Sequence, residues 1–82
     1  MILIFKKITD CFPEQWEIFK GAKQVGYIRI RSGILTCYYP DCNGVKVYSH
    51  KFDDDSKGCF DNDEECKHYL EECKSAVISK LK

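Results

Sequence analysis

At 82 residues the chain fits one domain, 1–82, close to the size at which an apolar core alone is barely sufficient. Its 44% hydrophobic and 32% charged content, with five Gly and two Pro, is that of a soluble globular protein and excludes a disordered or low-complexity chain. A formal net charge of +0 gives no overall attraction to nucleic acid, and the apolar run 1–5 is too short for a signal core or a membrane span. A cytoplasmic protein without a membrane segment is therefore expected, and in a reducing compartment six cysteines read as core thiols or metal ligands rather than as a disulfide framework.

Ile2, Leu3, Ile4, Phe5 and Ile8 predict a first strand, and its nearly continuous apolar character points to a central, buried place. Turn residues around Pro13 follow. Residues 15–20 predict a second strand with Trp16 and Ile18 on one face and Glu17 on the other, and Gly21 to Lys23 reverse the chain. In the third strand, 24–31, Ile28 and Ile30 alternate with Tyr27, Arg29 and Arg31. Ser32 and Gly33 predict a tight hairpin, since glycine takes the positive φ that such turns need. The fourth strand, 34–39, places Leu35, Cys37 and Tyr39 opposite Ile34, Thr36 and Tyr38, and Pro40 ends it. After the turn at Asp41 to Gly44, a fifth strand over 45–52 sets Val45 and Val47 against Lys46, Tyr48 and His50.

The only strong helical pattern lies at the C-terminal end. Asp61 with Glu64 three residues on has the form of a capping box. Acidic Asp63, Glu64 and Glu65 in the first turn and Lys80 and Lys82 at the end match the helix dipole. Cys66, Leu70, Cys73, Val77 and Leu81 recur at helical spacing and form one apolar stripe. Five strands joined by hairpin-length turns and one amphipathic helix predict a two-layer α+β fold: an antiparallel meander of about five strands packed on one C-terminal helix. The covered sheet face is expected to carry Trp16, Ile18, Ile28, Ile30, Leu35, Cys37 and Val47. The open face is expected to show Tyr27, Arg29, Arg31, Thr36, Tyr38, Lys46, Tyr48 and His50.

Charge is segregated along the chain. Residues 1–51 carry eight basic and four acidic groups, a balance of +4, whereas 52–73 carry two basic and nine acidic groups, a balance of −7. Asp53, Asp54, Asp55, Asp63, Glu64 and Glu65 are accordingly the candidate contacts for a basic protein surface. Cys37 and Cys42 straddle a strand end, and Cys59 and Cys66 straddle the helix start; four thiolates meeting there would make a closed structural zinc site, with His50 as an alternative fourth ligand. Seven residues of helix separate Cys66 from Cys73 by about 10 Å, too far to share one ion. A third possibility is the open face: Tyr27, Tyr38 and Tyr48 beside Arg29 and Arg31 suit stacking and neutralisation of single-stranded nucleic acid.

Catalysis has no motif. His68 sits two residues from Cys66, about 200° around a helix, and no phosphate loop, nucleophile turn or HExxH pattern is present, so a non-enzymatic protein is expected.

At Gln24, Val25, Gly26, Tyr27, Ile28, Arg29, Ile30, Arg31, Ser32 and Gly33, followed by Tyr39, Pro40, Val47, Tyr48, Gly58, Phe60, Tyr69 and Leu70, the chain resembles small proteins of phages and mobile elements in Gram-positive bacteria. Among these it looks like a type II-A anti-CRISPR protein, a class some of whose members contain zinc. The resemblance implies an inhibitor that binds a CRISPR effector nuclease or its guide complex and blocks guide loading, DNA binding or cleavage in the bacterial cytoplasm. The class shares no motif, so the resemblance assigns no functional residue.

Overall fold

The computed structural model describes residues 2–82; Met1, counted above in the apolar run, lies outside them. Five strands, β1 (Ile4–Thr9), β2 (Glu14–Lys20), β3 (Lys23–Arg31), β4 (Ile34–Tyr39) and β5 (Val45–Lys51), precede a single helix, α1 (Asp63–Leu81). The strands form one antiparallel sheet in the order β1-β2-β3-β4-β5, an uninterrupted meander. The helix covers one face of it, which is the expected two-layer α+β arrangement. No helix among the described residues is long and apolar enough to cross a membrane.

The turn between β3 and β4 shows why the meander closes tightly. Ser32 and Gly33 both take positive φ, 53° and 77°, the pattern whose twist suits a two-residue hairpin. A Cβ on Gly33 would also stand 2.5 Å from the Asp54 carbonyl oxygen, so the following loop can lie against this turn only because residue 33 lacks a side chain.

The core lies between the sheet and α1. Ile18, Ile28, Ile30, Leu35 and Cys37 from the sheet and Cys73 and Val77 from α1 are fully buried. Each large aliphatic side chain removed from water in this way contributes about 1.5–3 kcal/mol. Trp16, Val47, Leu70 and Leu81 pack at the margin of this cluster, as their periodicity predicts.

Three expectations are corrected. β1 is an edge strand, not a central one, because a meander leaves its first strand with a single neighbour. Leu3, just before it, is buried, yet Ile2, Ile4 and Ile8 are 81%, 56% and 41% exposed. Lys6 and Lys7 fit that position, since lysines discourage pairing of open edges.

The helix cap is shifted by one residue. Asn62, not Asp61, is the N-cap: its side chain accepts a hydrogen bond from Glu65 N at 2.8 Å, while Glu65 Oε1 accepts from Asp61 N at 2.9 Å.

Tyr48 and His50 face α1 rather than solvent. Cys37 pairs with Tyr48, but Tyr38 pairs with Lys46, so Val47 is an extra residue in β5 and the alternation inverts across it. His50 Nε2 then lies 3.1 Å from the Tyr69 hydroxyl, with its ring edge-on to Phe52. A similar irregularity between β2 and β3 skips Val25 and places it, fully buried, in the core.

Candidate protein-interaction site

The β1–β2 turn, the β3–β4 turn and the end of β5 all lie at one end of the sheet, and residues 52–62 cross that end on the way to α1. This segment has no regular secondary structure, so its backbone groups need other partners. Phe52 N donates to Gly33 O at 2.8 Å and Gly33 N donates to Lys57 O at 2.9 Å, which fastens it to the β3–β4 turn. Phe12 N and Glu14 N both donate to Gly58 O, at 3.1 and 2.8 Å, which fastens it to the β1–β2 turn.

Glu14 completes the second fastening. Its side chain is buried and accepts from Phe60 N at 3.0 Å and from Trp16 Nε1 at 2.6 Å. Phe60 is 46 residues away, so local patterning gives no sign that Glu14 is anything but an exposed strand residue.

Lys57 holds the third fastening, between the loop and α1. Its side chain is only 6% exposed, and Nζ lies 2.7 Å from Asp61 Oδ1 and 2.9 Å from Glu65 Oε1, and 5.0 Å from the centre of the Phe52 ring. Burial works to lower the Lys57 pKa, but the hydrogen bonds to Asp61 and Glu65 outweigh it and hold the ammonium above its ordinary value. The spacing of four from Lys57 to Asp61 and again to Glu65 is the one sequence signal for this group.

These contacts divide the six acidic residues expected to meet a partner. Glu65 is half-buried and committed to Lys57 and the cap. Asp54 shapes the loop: its Oδ1 accepts from Ser56 N at 2.9 Å and Ser56 Oγ at 2.7 Å, and these bonds hold its carboxyl below the usual range. Asp53, Asp55, Asp63 and Glu64 are exposed and make no ion pair among the described residues. A shallow cavity of about 230 Å³ opens beside Asp53, lined also by Phe52, Asp54, Lys57, Asp61 and Glu65. With four carboxylates against one ammonium already paired, it has the charge to accept a cation.

Sequence reasoning missed Phe12. It is 76% exposed and takes φ 53°, a backbone region that bulky residues rarely enter, and its ring stands over Gly58 in the same loop. A strained, exposed aromatic beside an acidic surface is the kind of feature that marks contact sites.

The thiols fall in two pairs and two single positions. Cys37 and Cys73 are neighbours inside the core, and the Cys37 thiol, with burial, pushes the Cys73 thiol far up. Cys11 and Cys59 are neighbours where the loop meets the β1–β2 turn. Cys42 is exposed between β4 and β5, and Cys66 is half-buried on α1, its thiol pushed up by burial and then by nearby Glu14. The structure does not bring Cys37, Cys42, Cys59 and Cys66 together, and His50 is engaged with Tyr69. Among the described residues no three Cys, His, Asp or Glu side chains gather to hold a metal ion.

On the open face Tyr27 and Tyr38 are cross-strand partners with ring centres 6.1 Å apart, and Arg29 lies in the next row opposite Thr36. Tyr27 is buried and its hydroxyl donates to Gln15 Oε1; burial pushes its pKa up. Of the five residues read as a stacking surface, Tyr48 lies on the opposite face, and Tyr38, Arg29 and Arg31 keep the most contact with solvent. No family model matches the chain, and no curated protein and no solved structure matches it.

Proposed function

We propose that this is a non-enzymatic protein-binding domain that docks a basic surface of its partner onto the acidic end formed by residues 52–65. The observation that carries the reading is the buried Lys57, paired to Asp61 and Glu65, within a segment that leaves Asp53, Asp55, Asp63 and Glu64 exposed and with no ion-pair partner among the described residues. Those carboxylates stand on a support fixed before binding, so little conformational entropy is lost when a partner meets them. Phe12, whose ring stands over Gly58 of the same segment, supplies an apolar anchor, and the cavity next to Phe52 suits an arginine or lysine side chain of the partner. The resemblance noted in the sequence extends the reading to an inhibitor of a bacterial defence system, with a CRISPR effector nuclease as the basic partner.

The test is co-elution of the purified protein with a type II effector nuclease, run beside the same protein with labelled single-stranded nucleic acid at low salt. The reading predicts a stoichiometric complex with the nuclease and none with nucleic acid alone. Binding to nucleic acid through Tyr38, Arg29 and Arg31, without a protein complex, would replace it.

A further inference from the structure

We propose that Cys11 and Cys59 are a modification site, a surface dithiol that closes to an intramolecular disulfide by exchange with a small-molecule disulfide such as oxidised glutathione. The geometry rests on the backbone. Gly58 O accepts from both Phe12 N and Glu14 N, at 3.1 and 2.8 Å, and Phe60 N donates to Glu14 Oε1 at 3.0 Å. These three bonds bind residues 11–14 to residues 58–60, so Cys11 and Cys59 flank the first of them from opposite segments of the chain, near enough for the Cys59 thiol to act on that of Cys11. Cys11 is exposed and Cys59 half-buried, which gives a small oxidant access. Cys37 and Cys73 form a second pair with 0% exposure, which no oxidant reaches without unfolding.

Closure is balanced without any group from the protein beyond the two thiols. One thiolate attacks a sulfur of the small disulfide, whose S–S bond breaks and releases one small thiol. The second protein thiolate then attacks the protein sulfur of the mixed disulfide and releases the other. Two electrons and two protons pass from Cys11 and Cys59 to the oxidant, which leaves as two thiols. Since Cys59 holds the Cys11 thiol up to about 11, closure quickens as pH rises toward that value. The bond covalently fixes the acidic loop to the β1–β2 turn, where hydrogen bonds to Gly58 O and to the Glu14 carboxylate hold it otherwise.

The experiment treats the reduced full chain with oxidised glutathione, alkylates the remaining thiols and maps peptides by mass. The expected result is a linked peptide joining Cys11 to Cys59, a mixed disulfide on exposed Cys42, and alkylated Cys37 and Cys73 after unfolding. The melting temperature of the linked species should rise by roughly 10 °C, because the new bond closes a long loop in the unfolded chain. Recovery of Cys11 and Cys59 as two separate mixed disulfides, linkage of either to another cysteine, or a disulfide-linked dimer would overturn the proposal. Cys59→Ser supplies the control, in which Cys11 should carry glutathione and no linkage should form.

Discussion

The two halves of α1 are held by different physics. The C-terminal half is fixed by apolar burial: Cys73 and Val77 are fully buried against Leu35 and Cys37 and their neighbours. The N-terminal half buries little. Asp63 and Glu64 are exposed, Glu65 and Cys66 are half-buried, and this end is held by Lys57 and by hydrogen bonds through Asn62 and Glu14. Burial that excludes water makes a strong joint but leaves nothing to present. A buried ammonium beneath carboxylates makes a weaker joint that keeps acidic groups on display, and the end proposed to meet a partner uses the second device.

The largest expected effect breaks the apolar half. Val77→Asp places a carboxylate where there is no cation to pair it, and should cost more than about 4 kcal/mol in urea unfolding, enough to lose the fold. Lys57→Met acts on the other half. It keeps the aliphatic stem near Phe52 but removes the charge, and should cost about 2 kcal/mol, because Asp61 at the rim can return to water while Glu65 is left partly buried. Amide hydrogen exchange should then quicken over residues 52–65 and stay unchanged around Val77.

Alkaline pH separates the halves less sharply but with a fixed sign. Lys57 has a raised folded pKa, so its contribution is complete below the unfolded value near 10.4 and is lost as pH climbs through the folded one. Burial raises Tyr27 and Tyr48 as well, and these lose stability in the same direction above about 10, when the unfolded chain ionises and the folded chain does not. Thermal melts should fall steadily above about pH 9, where the unfolded thiols of Cys66 and Cys73 begin to ionise. In Lys57→Met the part of the fall above about 10.4 should be shallower. The smallest effect belongs to the presenting surface itself. Neutralising Asp53 and Asp55 should change stability by no more than about 0.5 kcal/mol, as for most exposed charges.

The same contrast explains what could be read from the sequence. Five strands, their hairpins, the helix stripe and most of the core were legible because each rests on local periodicity and turn residues. Ile28, Ile30, Leu35, Cys73 and Val77 announce themselves by spacing. The position of β1 was not legible, since a short apolar run reads the same at an edge as in the centre until strand order is known. Nor was the inward turn of Tyr48, which depends on one extra residue, Val47, in the pairing.

At the candidate site the acidic segment was visible as charge, but its support was not. Glu14 and Lys57 are polar residues buried through partners outside their own strand or turn, and the thiol pairs join residues 48 and 36 positions apart, from Cys11 to Cys59 and from Cys37 to Cys73. Periodicity carries no information about such through-space choices.

The most direct test of acidic docking compares two charge-removal variants for affinity toward an effector nuclease. One, Asp53→Asn with Asp55→Asn, Asp63→Asn and Glu64→Gln, strips the presenting end. The other, Glu71→Gln with Glu72→Gln, removes exposed acids farther along α1. Acidic docking requires at least a tenfold loss for the first, about 1.4 kcal/mol or more, and little change for the second. Equal affinity of the first variant and the unaltered protein, or an equal loss in both variants, would contradict it.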